Sequence, residues 1–417
     1  MEHLLLIISI VILGYAVVSV LVPRTILTAP IIFVSIGILL SSFIDVDAEK
    51  EGKVLELVAE LTLVILLFTD ASRIDTWSLL KEFGLPLRLL GIGLPLTIGL
   101  GVVVGRLLLP EFSWWEIALL AAILAPTDAA LGQAVVSSKH VPLRIRQALN
   151  VESGLNDGIA VPFVMLFAAL AATHPESAGT AHWLIFVAKQ VTLGPLVGLT
   201  VGLIGGYIIE AATGRGWVDV SFRKLSGIAL AVLAWAGATS VGGNGFIAAF
   251  VCGMAIGTFT KVVKPAIQEF GETEGQLLSL ISFLLFGAFF VLPSIRSATA
   301  MHWIYAVFSL TIIRTIPVSL SLIGTKVQSA TTLFLGWFGP RGLASLIFAL
   351  LVTHEHTFQH GDQIFTIAML TASLSVVAHG VTAVPASYWY AKHVNSHTCQ
   401  PGCEHESTLE FPLRHRS

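Results

Sequence analysis

The chain has 417 residues, of which 55% are hydrophobic and 12% charged, and its mean hydropathy is +0.85. Soluble domains carry about 25% charged residues, so this composition excludes a soluble enzyme and a disordered protein. The formal net charge of -3 leaves no basic footprint for nucleic acid.

A membrane-crossing helix takes about 20 mostly apolar residues. By that measure, spans are predicted near 4–22, 27–43, 54–72, 84–109, 114–138, 143–173 and 183–213. Six more follow near 222–240, 245–260, 276–294, 299–325, 329–353 and 363–391. The expected fold is an all-α polytopic membrane protein of about 13 transmembrane helices. Residues 1–391 form the membrane domain, and 392–417 form a short polar tail. The first apolar run is read as a span rather than a cleaved leader, because no basic residue precedes it and Glu2 stands at its head.

Thirteen spans place alternate loops on opposite sides. Arg24, Arg73, Lys81, Arg88, Lys139, Arg144, Arg146, Arg215, Arg223, Lys224, Lys261, Lys264, Lys326 and the basic residues of the tail fall on one side. Only Lys50, Lys53, Arg106 and Arg296 fall on the other. Basic loops stay in the cytoplasm, so the N-terminus is expected outside and the C-terminus inside.

Charges at membrane depth cost several kcal/mol unless paired or hydrated. Asp128 in the fifth span lies roughly 16 Å of helix before Lys139. Asp157 in the sixth lies about as far beyond Arg146, with Glu152 slightly nearer the cytoplasm. Arg314 in the eleventh span and Arg341 in the twelfth reach the same level. A single buried charge is as readily a structural ion pair as a functional group. Five charges from four helices at one depth point to a hydrated ion site.

Two of these spans contain helix breakers: Ala125-Pro126-Thr127-Asp128 in the fifth, and Gly336-Trp337-Phe338-Gly339-Pro340-Arg341-Gly342 in the twelfth. Irregular backbone is tolerated at this depth only where protein or a water cavity satisfies it. The breaks are seven spans apart, so they occupy matching places in two inverted six-helix repeats, a transporter pattern. Half-helix ends there would be neutralised by Asp128 and Arg341. In Glu152-Ser153-Gly154-Leu155-Asn156-Asp157, Glu152 and Asp157 stand about 140° apart on the helix. The two acids are therefore expected to have different partners, Glu152 pairing with Arg314 and Asp157 facing the ion path. Thr127, Asp128, Ser153 and Asp157 offer the oxygen ligands that a hard alkali cation takes. A transition metal would want His or Cys, which were not expected at this depth.

The combination Ala125-Pro126-Thr127-Asp128 with Glu152-Ser153-Gly154-Leu155-Asn156-Asp157 resembles the monovalent cation:proton antiporters, in particular bacterial NhaP-type sodium/proton exchangers. Leu66-Leu67-Phe68-Thr69-Asp70-Ala71-Ser72-Arg73, Arg314 and Gly339-Pro340-Arg341-Gly342 are similar to bacterial members too. The resemblance covers the chain to about residue 391. It implies an NhaA-like antiporter fold with crossed broken helices, in a homodimer in the bacterial inner membrane. It also implies that Asp157 binds cation or proton, helped by Asp128, Ser153 and the Thr127 backbone. Asn156 would hydrogen-bond near Glu152, and Arg314 would hold Glu152. Because Asn156 precedes the acid where electrogenic relatives carry Asp, exchange of Na+ or Li+ for H+ is expected to be electroneutral. A K+/H+ antiporter with the same site is the alternative, and a cation channel a more distant one.

Other signals carry less. His354, Glu355, His356 and His360 are read as a solvated outer loop. Asp70 and Arg73 are read as a local cap or ion pair, and Lys189 as reaching for the outer surface. His397, Cys399, Cys403 and His405 in the tail are a candidate zinc set of non-standard spacing. No cofactor is expected. An intramembrane protease is excluded by pattern, since Val151 precedes Glu152-Ser153-Gly154 and Leu155-Asn156 precede Asp157.

Overall fold

The computed structural model describes residues 2–22, 25, 27–41, 48–73, 84–138, 140–172, 180–325, 327–355 and 358–396. Of the residues singled out above, Arg24, Lys81, Lys139, Lys326, His356 and the tail set lie outside the described residues, as do the side chains of Lys50, Lys53, His354 and Glu355.

Every regular element among the described residues is a helix, without strands. Before the first break lie α1 (Glu2–Val18), α2 (Ala29–Leu40), α3 (Ala48–Ser72), α4 (Gly84–Leu108) and α5 (Trp114–Ile123). Then come α6 (Ala129–Val136), α7 (Leu143–Ala171), α8 (Thr180–Gly214), α9 (Val220–Ser240) and α10 (Gly245–Phe259). The chain continues through α11 (Val263–Ser297), α12 (Ala300–Ser321), α13 (Ser329–Trp337), α14 (Leu343–Glu355) and α15 (Gly361–Ser396). Helices α5 and α6 are the halves of the fifth span, and α13 and α14 those of the twelfth.

Local chemistry sets the ends. Ser113 and Glu116 form a capping box at the start of α5. Asp219 caps α9 through the amide of Ser221, and Asn244 caps α10 through that of Ile247. Among the described residues the helix of the second span is Ala29–Leu40, with Pro30 in its first turn. One expectation is corrected. The tenth begins at Val263 rather than near 276, because α11 continues through the charged stretch Glu269–Glu274 that had ended the apolar window. A π-helical turn at Gly271–Gly275 and another at Gly287–Val291 interrupt its regular winding.

The helices pack in two groups. Helices α4–α7 and α12–α15 pack mainly on one another, as do α2, α3 and α8–α11. The second group is joined by close backbone approaches at small residues. A Cβ at Gly198 on α8 would meet the Ala248 carbonyl oxygen on α10, one at Gly253 would meet that of Phe68 on α3, and one at Gly287 would meet that of Val34 on α2. Lipid tails are as apolar as leucine, so such contacts, rather than hydrophobic burial, draw membrane helices together. Leu196, Leu199, Leu203 and Tyr207 form an exposed apolar stripe along α8, as a helix against lipid should.

Gly198→Leu is expected to force α8 off α10 and destabilise the protein by about 1–3 kcal/mol. Thermal melting of the purified protein in detergent measures this, and an unchanged midpoint would contradict the close approach.

Candidate functional site

The two breaks cross. Helix α5 ends at Ile123 and α6 starts at Ala129, with Pro126 between them. Helix α13 ends at Trp337 and α14 starts at Leu343, with Pro340 between. Each proline removes an amide donor and disfavours helix in the residue before it. The Asp128 amide donates to the Pro340 carbonyl at 2.7 Å, so the two extended segments hydrogen-bond to each other.

Asp128 and Arg341 serve the freed helix ends. Asp128 Oδ2 accepts from the Leu343 amide at 2.7 Å, and Oδ1 accepts from the Leu131 amide at 3.3 Å. One carboxylate thus caps two helix N-termini, α14 and α6, where the helix dipole favours negative charge. Arg341 Nη1 donates to the carbonyls of Ala125 at 2.7 Å and Pro126 at 3.1 Å, capping the C-terminal end of α5. The glycines beside Arg341 make room. A Cβ at Gly342 would strike the Asp128 carboxylate, and one at Gly339 the Arg314 guanidinium.

Helix α7 brings the second cluster. Glu152 Oε1 lies 2.6 Å from Arg314 Nη2, with both side chains buried. The Thr127 and Ser153 hydroxyls are 3.0 Å apart. Asn156 Nδ2 donates to Thr127 Oγ1 at 2.6 Å. Asn156 thus bonds to the hydroxyl that Ser153, the neighbour of Glu152 in sequence, also meets. Glu152 has turned to Arg314, and the break in the fifth span leaves the Thr127 hydroxyl within reach of Asn156.

Asp157 is half-buried, and its Oδ1 has no hydrogen-bond partner among the described residues. It lines a cavity of about 850 Å³ together with Asp128, Asp70 and Arg73. Thr25, Thr28, Ser137, His140 and Tyr388 line the same cavity. They belong to the loops and helix ends of the Arg- and Lys-rich side.

The structure thus gathers Thr127, Asp128, Glu152, Ser153, Asn156, Asp157, Arg314 and Arg341 around one crossing. Sequence reasoning missed three residues there. Asp70, 4.0 Å from Arg73, was read as a local ion pair only, yet it lines the cavity; the signal was its place one turn above the basic loop. Ser375 and His379 of α15 are buried against the second break. His379 also corrects the expectation that no histidine lies at this depth, although no group of three or more metal-binding side chains occurs among the described residues. The reading of His360 as solvated is corrected too. Its amide donates to Glu116 Oε1 at 2.8 Å, its Nδ1 lies 3.2 Å from Oε2, and its ring stacks on Phe112. The N-terminal end of α5 needs partners for its carboxylate, and the turn before α15 supplies them. Lys189 is exposed.

Residues 7–389 match the family described as sodium/hydrogen exchanger, transmembrane, and the chain belongs to that family. It is 25% identical over 342 residues to the K(+)/H(+) antiporter NhaP of Alkalimonas amylolytica, across 80% of this chain and 57% of that protein. It is 28% identical over 263 residues to a Na(+)/H(+) antiporter of Schizosaccharomyces pombe, across 58% of this chain and 55% of that one. The chain therefore spans little more than half the length of these curated relatives. In fold it is similar to the sodium proton antiporter MjNhaP1 from Methanocaldococcus jannaschii, with a TM-score of 0.75 at 19% identity, covering 94% of this chain and 97% of that one.

Arg314→Ala strands a buried carboxylate and is expected to cost about 3–5 kcal/mol of stability. Arg314→Ala combined with Glu152→Leu should recover part of the loss. Denaturation of the purified variants measures both, and a single variant as stable as the parent would show that the pair does not hold the site. Gly342→Ala is expected to displace the Asp128 carboxylate and lower the melting temperature. Gly132→Ala, which meets nothing within 4 Å, is the control.

Proposed function

We propose that this member of the sodium/hydrogen exchanger family carries a monovalent cation, Na+ or Li+, across the membrane in exchange for one proton, the two competing for Asp157. One observation supports this most directly. Among the described residues, Asp157 and Glu152 each have a carboxylate oxygen without a hydrogen-bond partner, and of these two only Asp157 lines the cavity. Glu152 is held by Arg314, Asp128 caps two helices, and Asp70 lies beside Arg73.

A single uncommitted carboxylate holds a proton or a cation but not both, which makes exchange obligatory and one for one. Asp157, Asp128, the Ser153 hydroxyl and the Thr127 carbonyl supply oxygens of the kind hard cations take. The Thr127 hydroxyl is taken up by Asn156 and Ser153, so the backbone is that residue's contribution. Arg341, Arg314, Glu152 and Asn156 keep these oxygens in place.

The cavity opens on the basic side, which the distribution of Lys and Arg assigns to the cytoplasm. The protein is then a multi-pass component of a bacterial inner membrane, N-terminus outside, loaded from the cytoplasm in this conformation and working as a homodimer. Residues 1–391 are the exchanger domain, and 392–417 follow it on the cytoplasmic side. Relatives named for K+ as well as Na+ make K+/H+ exchange by the same site the second reading.

Everted vesicles from cells lacking their own antiporters, acidified inside and monitored with a pH-sensitive dye, test the reading. Addition of NaCl or LiCl should dequench the dye, and Asp157→Asn should abolish the response. Dequenching by KCl alone would change the cation and keep the mechanism. Exchange at the parent rate in Asp157→Asn would overturn the assignment.

A further inference from the structure

Three polar residues of α15, Ser375, His379 and Thr382, stand at i, i+4 and i+7 and so share one helix face. All three bond to the broken span beside them. The Arg341 amide donates to Ser375 Oγ at 2.7 Å. His379 Nδ1 lies 3.0 Å from the same oxygen, and His379 Nε2 lies 2.9 Å from the Trp337 carbonyl. Trp337 Nε1 donates to Thr382 Oγ1 at 3.0 Å. Ser375 and His379 are buried.

The protons can be assigned from the partners. A carbonyl only accepts, so His379 Nε2 carries hydrogen and donates to Trp337. The Ser375 oxygen already accepts from Arg341, so its own hydrogen is free to go to His379 Nδ1. The imidazole is then neutral, and each donor is used once. The Ser375 carbonyl, also 3.0 Å from Nδ1, lies within the α15 helix itself. A buried histidine in a protein core needs only to be satisfied. Here its bonds run to the two ends of one unwound segment: Trp337 closes α13, and Arg341 is the second residue before α14. Between them lies Pro340, whose carbonyl accepts from the Asp128 amide.

We propose that His379, acting through Ser375, is a positioning residue of the cation site. Together they fix the span from Trp337 to Arg341, and thereby the placement of the Pro340 carbonyl, the Arg341 guanidinium and the Asp128 backbone. The proposal deepens the exchange reading and rests on it for its effect on transport. Its effect on the broken segment does not depend on that reading.

The experiment uses the full chain in two ways. Vesicle assays give KM and maximal rate for Na+ and Li+. Hydrogen–deuterium exchange of the purified protein reports on amides 338–343. His379→Leu and Ser375→Ala are expected to raise the cation KM about tenfold, the lower end of the loss seen when a direct partner of a metal ligand is removed, because these residues act one contact further out. Maximal rate should change less, and amides 338–343 should exchange faster while those of α8–α10 do not. His379→Gln can still donate to Trp337 and should restore most of the affinity.

Parent-like KM and exchange in His379→Leu would overturn the proposal. So would equal damage in the Gln and Leu variants with protection lost across the whole chain, which marks a merely structural role. If His379→Leu does not reach the membrane, Ser375→Ala, which removes one hydroxyl, decides in its place. If the parent itself moves no protons in response to cations, the exchange reading fails, while exchange at 338–343 still decides whether His379 holds the break.

Discussion

The structure depends on half-helices that end inside the membrane. A helix that stops there leaves amides or carbonyls without partners, in a place where water does not reach them from lipid. Asp128 answers two N-termini at once, Arg341 answers the C-terminal end of α5, and His379 answers the last carbonyl of α13. Each of these side chains is itself expensive at this depth. The breaks make the charges tolerable, and the charges make the breaks tolerable. Neither is stable alone, and this explains why Pro126 and Pro340 occur beside Asp128 and Arg341.

That mutual dependence divides the acidic residues by duty. Glu152 is committed to Arg314, and Asp128 to backbone amides. Asp157 stands at the cavity with a buried oxygen that has no hydrogen-bond partner among the described residues. The same polar chemistry that holds the crossing together thus isolates one carboxylate. A network with spare partners would have quenched Asp157 as well. The glycines at 339 and 342 belong to this arrangement, since a side chain at either would displace Arg314 or Asp128.

Much of this was legible in the residues. Hydropathy runs long enough to span, together with the asymmetry of Lys and Arg, outline the thirteen spans. Breakers at Pro126 and Pro340, set beside charges, locate the crossing. What stayed hidden depends on three-dimensional partners. Asn156 shares a helix face with Glu152, and nothing in the spacing says that the Thr127 hydroxyl across the break lies nearer. Asp70 looks like an end-of-helix ion pair until α3 is packed against α7. His379 sits in an apolar stretch far along the chain, and only the fold sets it against Trp337. Helix α11 outran its prediction because Glu269 and Glu274 look like a loop to a hydropathy window, although the helix continues through them.

Where the two groups of helices touch, Gly158 of α7 lies flat against the ring of Phe250 on α10. It is the residue after Asp157, on the seam along which one group must slide if Asp157 is to face the other side. A bare glycine lets the ring close the seam against the α7 backbone. Any side chain at 158 would run into three carbons of that ring, so Phe250 would have to give way and the seam would open. The closeness of the two groups beside Asp157 is then set partly by a residue that binds no ion.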